Sequence, residues 1–175
     1  PNKSMVVADI SFNDLKQVLQ VREVLEGLAA RIATDVVNKE DITELENITQ
    51  NMEYAVKKND LALFCKFDDE FHALILNVCG NKYIIKTLDG LENIFYRFRV
   101  KSLSIPGRMN SSFHEHIDIL NAFKESDSLN SERLTKRHIH NIVANIVENI
   151  IEKERNDIKT NLNNIKNIKG ERICR

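Results

Sequence analysis

The chain has 175 residues, 42% hydrophobic and 29% charged, the size and make-up of one domain able to bury a sizeable core. Its 25 basic and 26 acidic residues leave a formal net charge of -1, so no basic excess marks a dedicated nucleic-acid surface. Cys65, Cys79 and Cys174 lack CxxC spacing, which argues against a disulfide framework and a thiolate zinc site; no apolar run nears the ~18 residues of a spanning helix and no signal-peptide pattern opens the chain, so a cytoplasmic protein with no membrane partner is expected.

Five glycines and two prolines punctuate the chain sparsely, and period-2 alternation is nearly absent, so the predicted class is all-α. Residues 1–12, starting Pro1-Asn2, read as a linker remnant of a trimmed chain. A first helix is predicted from Asn13 to Val37, with Leu15, Val18, Leu25, Ala29, Ile32 and Val36 on one face. The second is expected to open at "DITE", with Asp41 as cap and Glu44 closing a capping box. Asp60 is the predicted N-cap of a third helix, Leu61 to Cys79, and Gly80 its stop.

A fourth helix is predicted from Lys82 to Ser102, ended by "SIPGR", where Pro106 lacks a donor and Gly107 permits a turn. A short helix from Ser111 or Ser112 to Phe123 follows. The last one is expected to open near Ser128, with Glu132 bonding back to the cap, and Ile139, Ile142, Val143, Ile146 and Ile150 as its stripe. Residues 151–175 are expected to form a helical extension or frayed tail. The expected architecture is an antiparallel bundle of six or more helices.

Helical pitch also sorts the polar residues. Asp68 and His72 stand four apart inside the apolar stripe of Phe64, Phe71 and Ile75, so both leave one face. His116 shares a face with Ile119, Leu120 and Phe123, and His138 lies between Leu134 and Ile142, whereas His114 and His140 fall on polar faces. An unpaired buried charge costs about 3–5 kcal/mol, so inward polar groups need partners. Three imidazoles and a carboxylate meeting in a bundle make a set suited to zinc, nickel, manganese or iron(II), with coordination positions left open. Pitch alone leaves a satisfied polar core as an equal reading. Asp69, three residues from His72, competes with Asp68.

Four strings, "VREVLEGLAARIA" (21–33), "FDDEFHALILNVCGN" (67–81), "HEHIDILNAF" (114–123) and "RLTKRHIHNIV" (133–143), resemble the successive motifs of the C-terminal effector-binding domain of FadR-type GntR-family transcriptional regulators. The likeness covers residues 13–150. It implies a bundle of six or seven helices around a central metal and effector cavity, a homodimer, and a divalent ion held by Asp68, His72, His116 and His138, with zinc the expected ion and nickel or manganese the alternatives.

The resemblance also implies a small organic acid as effector, its carboxylate on the metal and an arginine nearby. Arg22, which interrupts the stripe between Val18 and Leu25, and Arg97 and Arg99 of "FYRFRV" are the candidates; a surface i,i+4 pair with Glu26 is an equal reading of Arg22, and the last two lie on opposite sides of a helix, so at most one is expected to face the cavity. DNA binding is expected of a winged helix-turn-helix that has no counterpart before Asn13. A sensor rather than an enzyme is therefore expected. The alternative is a metal-dependent helical enzyme acting on small carboxylates, with Glu70 and Glu115 the nearest acid-base groups.

Overall fold

The computed structural model describes residues 12–147 and 149, which form helices joined by short turns. Helix α1 spans Phe12–Val36, α2 Lys39–Lys58, α3 Leu61–Cys79, α4 Lys82–Asp89, α5 Glu92–Leu103 and α6 Arg108–Lys124; α7 covers 128–147. The all-α class is as predicted, and the expected extension over 151–175 lies outside the described residues.

Helix ends follow local chemistry, not always at the predicted residue. Asp60 caps α3 by accepting the Leu63 N–H at 2.9 Å. Gly80, at φ +63°, ends it in the left-handed region that disfavours a Cβ. The capping box of α2 sits three residues earlier than predicted: the Asn38 side chain accepts the Asp41 N–H at 2.8 Å, and the Asp41 carboxylate accepts the Asn38 N–H at 3.3 Å. At α7, Asp127 accepts the Asn130 N–H at 3.0 Å, while Glu132 turns to Lys136 and Arg31 instead of bonding back. Helix α6 starts at Arg108, ahead of the predicted serines, because Gly107 at φ +82° has already turned the chain.

The predicted single helix over 82–102 is two. Gly90 and Leu91 keep right-handed angles, but the Leu91 N–H bonds to Leu88 O, one residue short of α-helical spacing. The phase resets there, and α5 buries Phe95, Arg99, Ser102 and Leu103.

Helix α3 packs between α1 and α2, and α6 lies on α2. The larger apolar cluster joins Ala29, Ala30 and Ala33 of α1 to Leu45, Met52, Phe64, Phe71, Ile119 and Phe123, among others. A smaller one holds Val18, Leu19, Phe95, Ile139, Ile142 and Ile146. Each fully buried phenylalanine contributes about 1.5–3 kcal/mol by leaving water. Val36, predicted to face the core, is 60% exposed, because the buried face of α1 runs through Arg22, Glu26, Ala30 and Ala33 instead.

Between the two clusters the helices turn polar. Arg22 and Glu26 separate them on α1, Arg99 on α5, and Thr135 and His138 on α7, and all five are buried. Helices α1 and α7 run antiparallel, tied by the Thr34 hydroxyl to Ser131 at 2.8 Å. The Lys136 stem lies over Gly27, where a Cβ would come within 2.6 Å of it.

Candidate functional site

Four predicted side chains converge in this polar layer. Asp68 and His72 come from α3, His116 from α6 and His138 from α7, and one ligand-capable atom of each lies within 4.8 Å of the others. Asp68, His116 and His138 are buried, and the His72 side chain is 11% exposed. His114 and His140 are exposed, as pitch predicted. Asp69 is half exposed and pairs with Arg99, so Asp68 is the inward carboxylate.

Each imidazole is oriented through Nδ1. Acceptors for His116, His138 and His72 are the Ser112 carbonyl at 2.7 Å, Glu115 Oε2 at 2.7 Å and Glu26 Oε2 at 3.2 Å. A carbonyl and ionised carboxylates only accept, so every Nδ1 donates, and in each neutral imidazole Nε2 keeps its lone pair. Those lone pairs face one another. His72 and His116 Nε2 are 3.3 Å apart, His116 Nε2 is 3.3 Å from Asp68 Oδ1, and His138 Nε2 is buried without a partner. Facing lone pairs repel; a cation among them makes each a bond. Three neutral imidazole nitrogens and one carboxylate oxygen fit a divalent zinc, nickel or manganese ion.

Behind these groups stands a ring of charges. The Arg22 guanidinium stacks 3.7 Å from the Phe95 ring centroid and binds Glu26 at 2.7 Å and Glu92 at 2.9 Å. Arg99 Nη1 lies 3.3 Å from Asp68 Oδ2, and Nη2 pairs with Asp69. Arg108 Nη2 donates to Glu115 at 2.9 Å, and Asn141 donates to the other Glu115 oxygen at 2.8 Å. Phe71 and Phe64 meet His116 edge-on, with ring centroids 4.8 and 6.4 Å away, and wall the cluster on its apolar side.

The charges set the protonation states. Burial pushes the Glu26 carboxyl up, but Arg22 and the His72 hydrogen bond outweigh it and hold it at about 2. Glu115 is likewise raised by burial, then brought down to about 2 by its bond from His138 and by Arg108. Burial also opposes ionisation of Asp68, yet His116 and Arg99 keep it below the usual carboxylate range. His116 is held down at about 3 by burial and by His138, so it is neutral at ordinary pH. Burial disfavours charge on His72, but Glu26 raises its proton affinity. The Cys65 thiol is pushed up to about 11 by burial and the nearby Asp68, and is inert.

Of the three predicted arginines, Arg22 and Arg99 reach this layer, and Arg97 does not: it is exposed on the far side of α5. Arg22 is committed to two carboxylates; Arg99 is likewise paired with Asp68 and Asp69 but keeps a buried Nε without a partner. Sequence reasoning paired Glu26 with Arg22 but placed the pair at the surface, where the structure buries it; it missed Glu92 and Arg108 and gave Glu115 a different role. Glu26 carries a signal, being a second charge four residues after Arg22 within one stripe. Glu92 and Arg108 carry none, because their partners sit on other turns or helices.

The chain matches the FCD domain over residues 17–141. It is similar to the HTH-type transcriptional repressor RspR of Escherichia coli K12, 23% identical over 146 residues, 83% of this chain and 64% of RspR. It is also similar to the HTH-type transcriptional repressor NanR of Klebsiella aerogenes, 28% identical over 129 residues, 71% of this chain and 48% of NanR. It thus spans about half to two thirds of the length of these curated relatives. Among solved structures, E. coli McbR/YncC shares the fold with a TM-score of 0.74 at 15% identity, over 81% of this chain and 71% of that one. Streptococcus agalactiae GntR does so at 0.60 and 18%, over 74% and 58%. These relatives are regulators rather than enzymes, and with most of its length matched the chain belongs to the FCD domain family, the regulatory effector-binding module of GntR-type transcription regulators.

Proposed function

We propose that this chain senses a small organic acid at a divalent metal centre held by Asp68, His72, His116 and His138, with zinc the preferred ion. What carries the reading is the convergence of three Nε2 lone pairs, each imposed by an acceptor on Nδ1, with His138 Nε2 buried and unpartnered. A divalent ion there supplies positive charge and open positions for a carboxylate.

The chain's own residues do the rest. Arg99, whose Nε is buried and unpartnered, offers a donor beside Asp68 to the arriving anion. The rings of Phe64 and Phe71 exclude water from one side. Because the site draws on α3, α5, α6 and α7, a ligand that fits one arrangement of these helices better than another shifts the balance between them. Differential affinity worth about 1–3 kcal/mol is enough for such coupling.

We place the readout in a DNA-binding helix-turn-helix of the whole protein, on the strength of relatives named HTH-type repressors that extend beyond the matched stretch. A second copy of the chain is assigned to the exposed apolar stripe of Val21, Val24 and Leu28 on α1. A cytoplasmic setting goes with this role, and no helix among the described residues is long and apolar enough to cross a membrane.

A metal-dependent hydrolase is disfavoured by the acid-base groups. Glu115 is already bonded to His138, Arg108 and Asn141, and Glu70 is near Lys66 at the surface. The deciding experiment measures metal in the purified chain and in the His116→Ala, His138→Ala double variant. About one ion per chain is expected, and none in the variant; a variant that keeps its full complement sinks the assignment.

A further inference from the structure

Two buried guanidinium groups in the polar layer are shared by more carboxylates than they can neutralise. Arg22 and Arg99 face Glu26 and Asp68, which are also buried, and Glu92 and Asp69, whose side chains are about half exposed. Two positive charges therefore meet four negative ones. The third buried arginine, Arg108, is matched by Glu115. With neutral imidazoles, as metal binding requires, the excess of two negative charges equals the charge of one divalent cation.

A layer balanced by the ion alone has no surplus positive charge for an acid anion, so an arriving carboxylate must displace one that the chain already holds. Glu26 and Asp68 are enclosed among their partners and cannot reach water without leaving the core. The half-exposed pair can swing outward at little cost, since ion pairs open to solvent are weak and screened.

Of these two, Glu92 is the one placed to move. Asp69 stands within the continuous helix α3, next to Asp68. Glu92 is the first residue of α5, directly after the joint at which the Leu91 N–H bonds to Leu88 O, and no side chain caps that helix start. Glu92, Phe95 and Arg99 share one face of α5. The Phe95 ring centroid is 3.7 Å from the Arg22 guanidinium carbon and 5.4 Å from that of Arg99. The Glu92 carboxylate spans the two arginines, with Oε2 2.9 Å from Arg22 Nη1 and Oε1 3.8 Å from Arg99 Nη2. Released into water, it stays at the N-terminus of α5, where the helix dipole favours a negative charge.

We propose that Glu92 is a built-in competitor for the effector: its carboxylate holds Arg22 and Arg99 until an acid displaces it, and the exchange frees the first turn of α5 from α1. This rests on the acid-sensing reading above and adds the residue that sets its threshold. Displacement supplies the two arrangements of α1 and α5 that a sensor needs, one with the Arg22–Glu92 tie and one without it.

Calorimetric titration of the zinc-loaded 175-residue chain with acetate and with lactate tests this. Glu92→Gln keeps the shape and removes the competing charge, so it should bind at least one of these acids about fivefold or more tightly, with zinc content unchanged. Removing a charge also eases anion binding from a distance, and hydrogen exchange separates the two effects. The acid should speed exchange of the amides of residues 92–95 in the wild-type chain and leave them unaltered in the variant. Should Glu92→Gln fail to hold zinc, Glu92→Asp, one methylene shorter with its charge kept, gives the same reading. If the wild-type chain binds an acid and the variant binds it no more tightly, or if exchange at residues 92–95 is unchanged or slowed by acid in the wild type, the displacement is overturned and the sensing site stands. If neither chain binds an acid while both carry full zinc, the sensing reading falls with it. Failure of the wild-type chain to hold zinc strikes the metal centre as well.

Discussion

At the scale of single residues, the cluster depends on what stands behind it as much as on its four donors. Glu115 shows why: one carboxylate oxygen receives His138 Nδ1 at 2.7 Å and Arg108 Nη2 at 2.9 Å, and the other receives Asn141. It fixes the tautomer of His138, so that Nε2 faces its partners with a lone pair, and makes that nitrogen a stronger donor. Glu115→Gln preserves the shape but can present an amide N–H where an acceptor is needed. Zinc affinity, measured by competition with a chromophoric chelator, should fall about 10–100-fold while helicity is retained; unchanged affinity would make Glu115 merely structural. The convergence of Asp68, His72, His116 and His138 was legible from the sequence because helical pitch decides which way a side chain leaves a helix, and all four sit in apolar stripes. Glu115 was visible only as the neighbour of His116, since its role is defined by a residue 23 positions away on another helix.

At the scale of elements, boundaries were legible where one residue dictates them and lost where several compete. Asp60 and Gly80 bracket α3 as predicted, because a carboxylate cap and a left-handed glycine leave the backbone little choice. The break between α4 and α5 was invisible, since Gly90 at φ -65° and ψ -19° keeps angles any helix allows. Sequence periodicity also failed to separate the two outer sides of α1. Its buried face carries Arg22, Glu26, Ala29, Ala30 and Ala33, while Val21, Val24 and Leu28 stay 43%, 57% and 38% exposed, one turn apart along a separate stripe. A run of large apolar side chains left in water is the kind of surface a partner covers. If a second copy covers it, Val24→Glu should place a charge at the contact and convert the chain from dimer to monomer in sedimentation velocity, with helicity intact. A dimer that survives would move the interface off α1.

At the scale of the whole molecule, the polar layer divides the bundle. Helices α1, α5 and α7 carry apolar residues above and below it and charged or hydrogen-bonding ones within it, so two apolar clusters are joined through groups that apolar packing cannot hold together. An ion held by α3, α6 and α7 would tie those helices where hydrophobic contact is interrupted, and its binding free energy would add to folding because the unfolded chain offers no such geometry. With zinc at about a hundred times its dissociation constant, the added stability is about 2.7 kcal/mol. For a chain of this size that corresponds to a rise in Tm of roughly 5–10 °C. Adding a strong chelator should remove that increment in a thermal melt, and restoring zinc should return it. The His116→Ala, His138→Ala variant should melt at one temperature with and without zinc. A wild-type melt indifferent to both chelator and zinc would mean that the layer is a self-satisfied polar core, with Asp68 and the histidines held by Arg99, Glu26 and Glu115 alone.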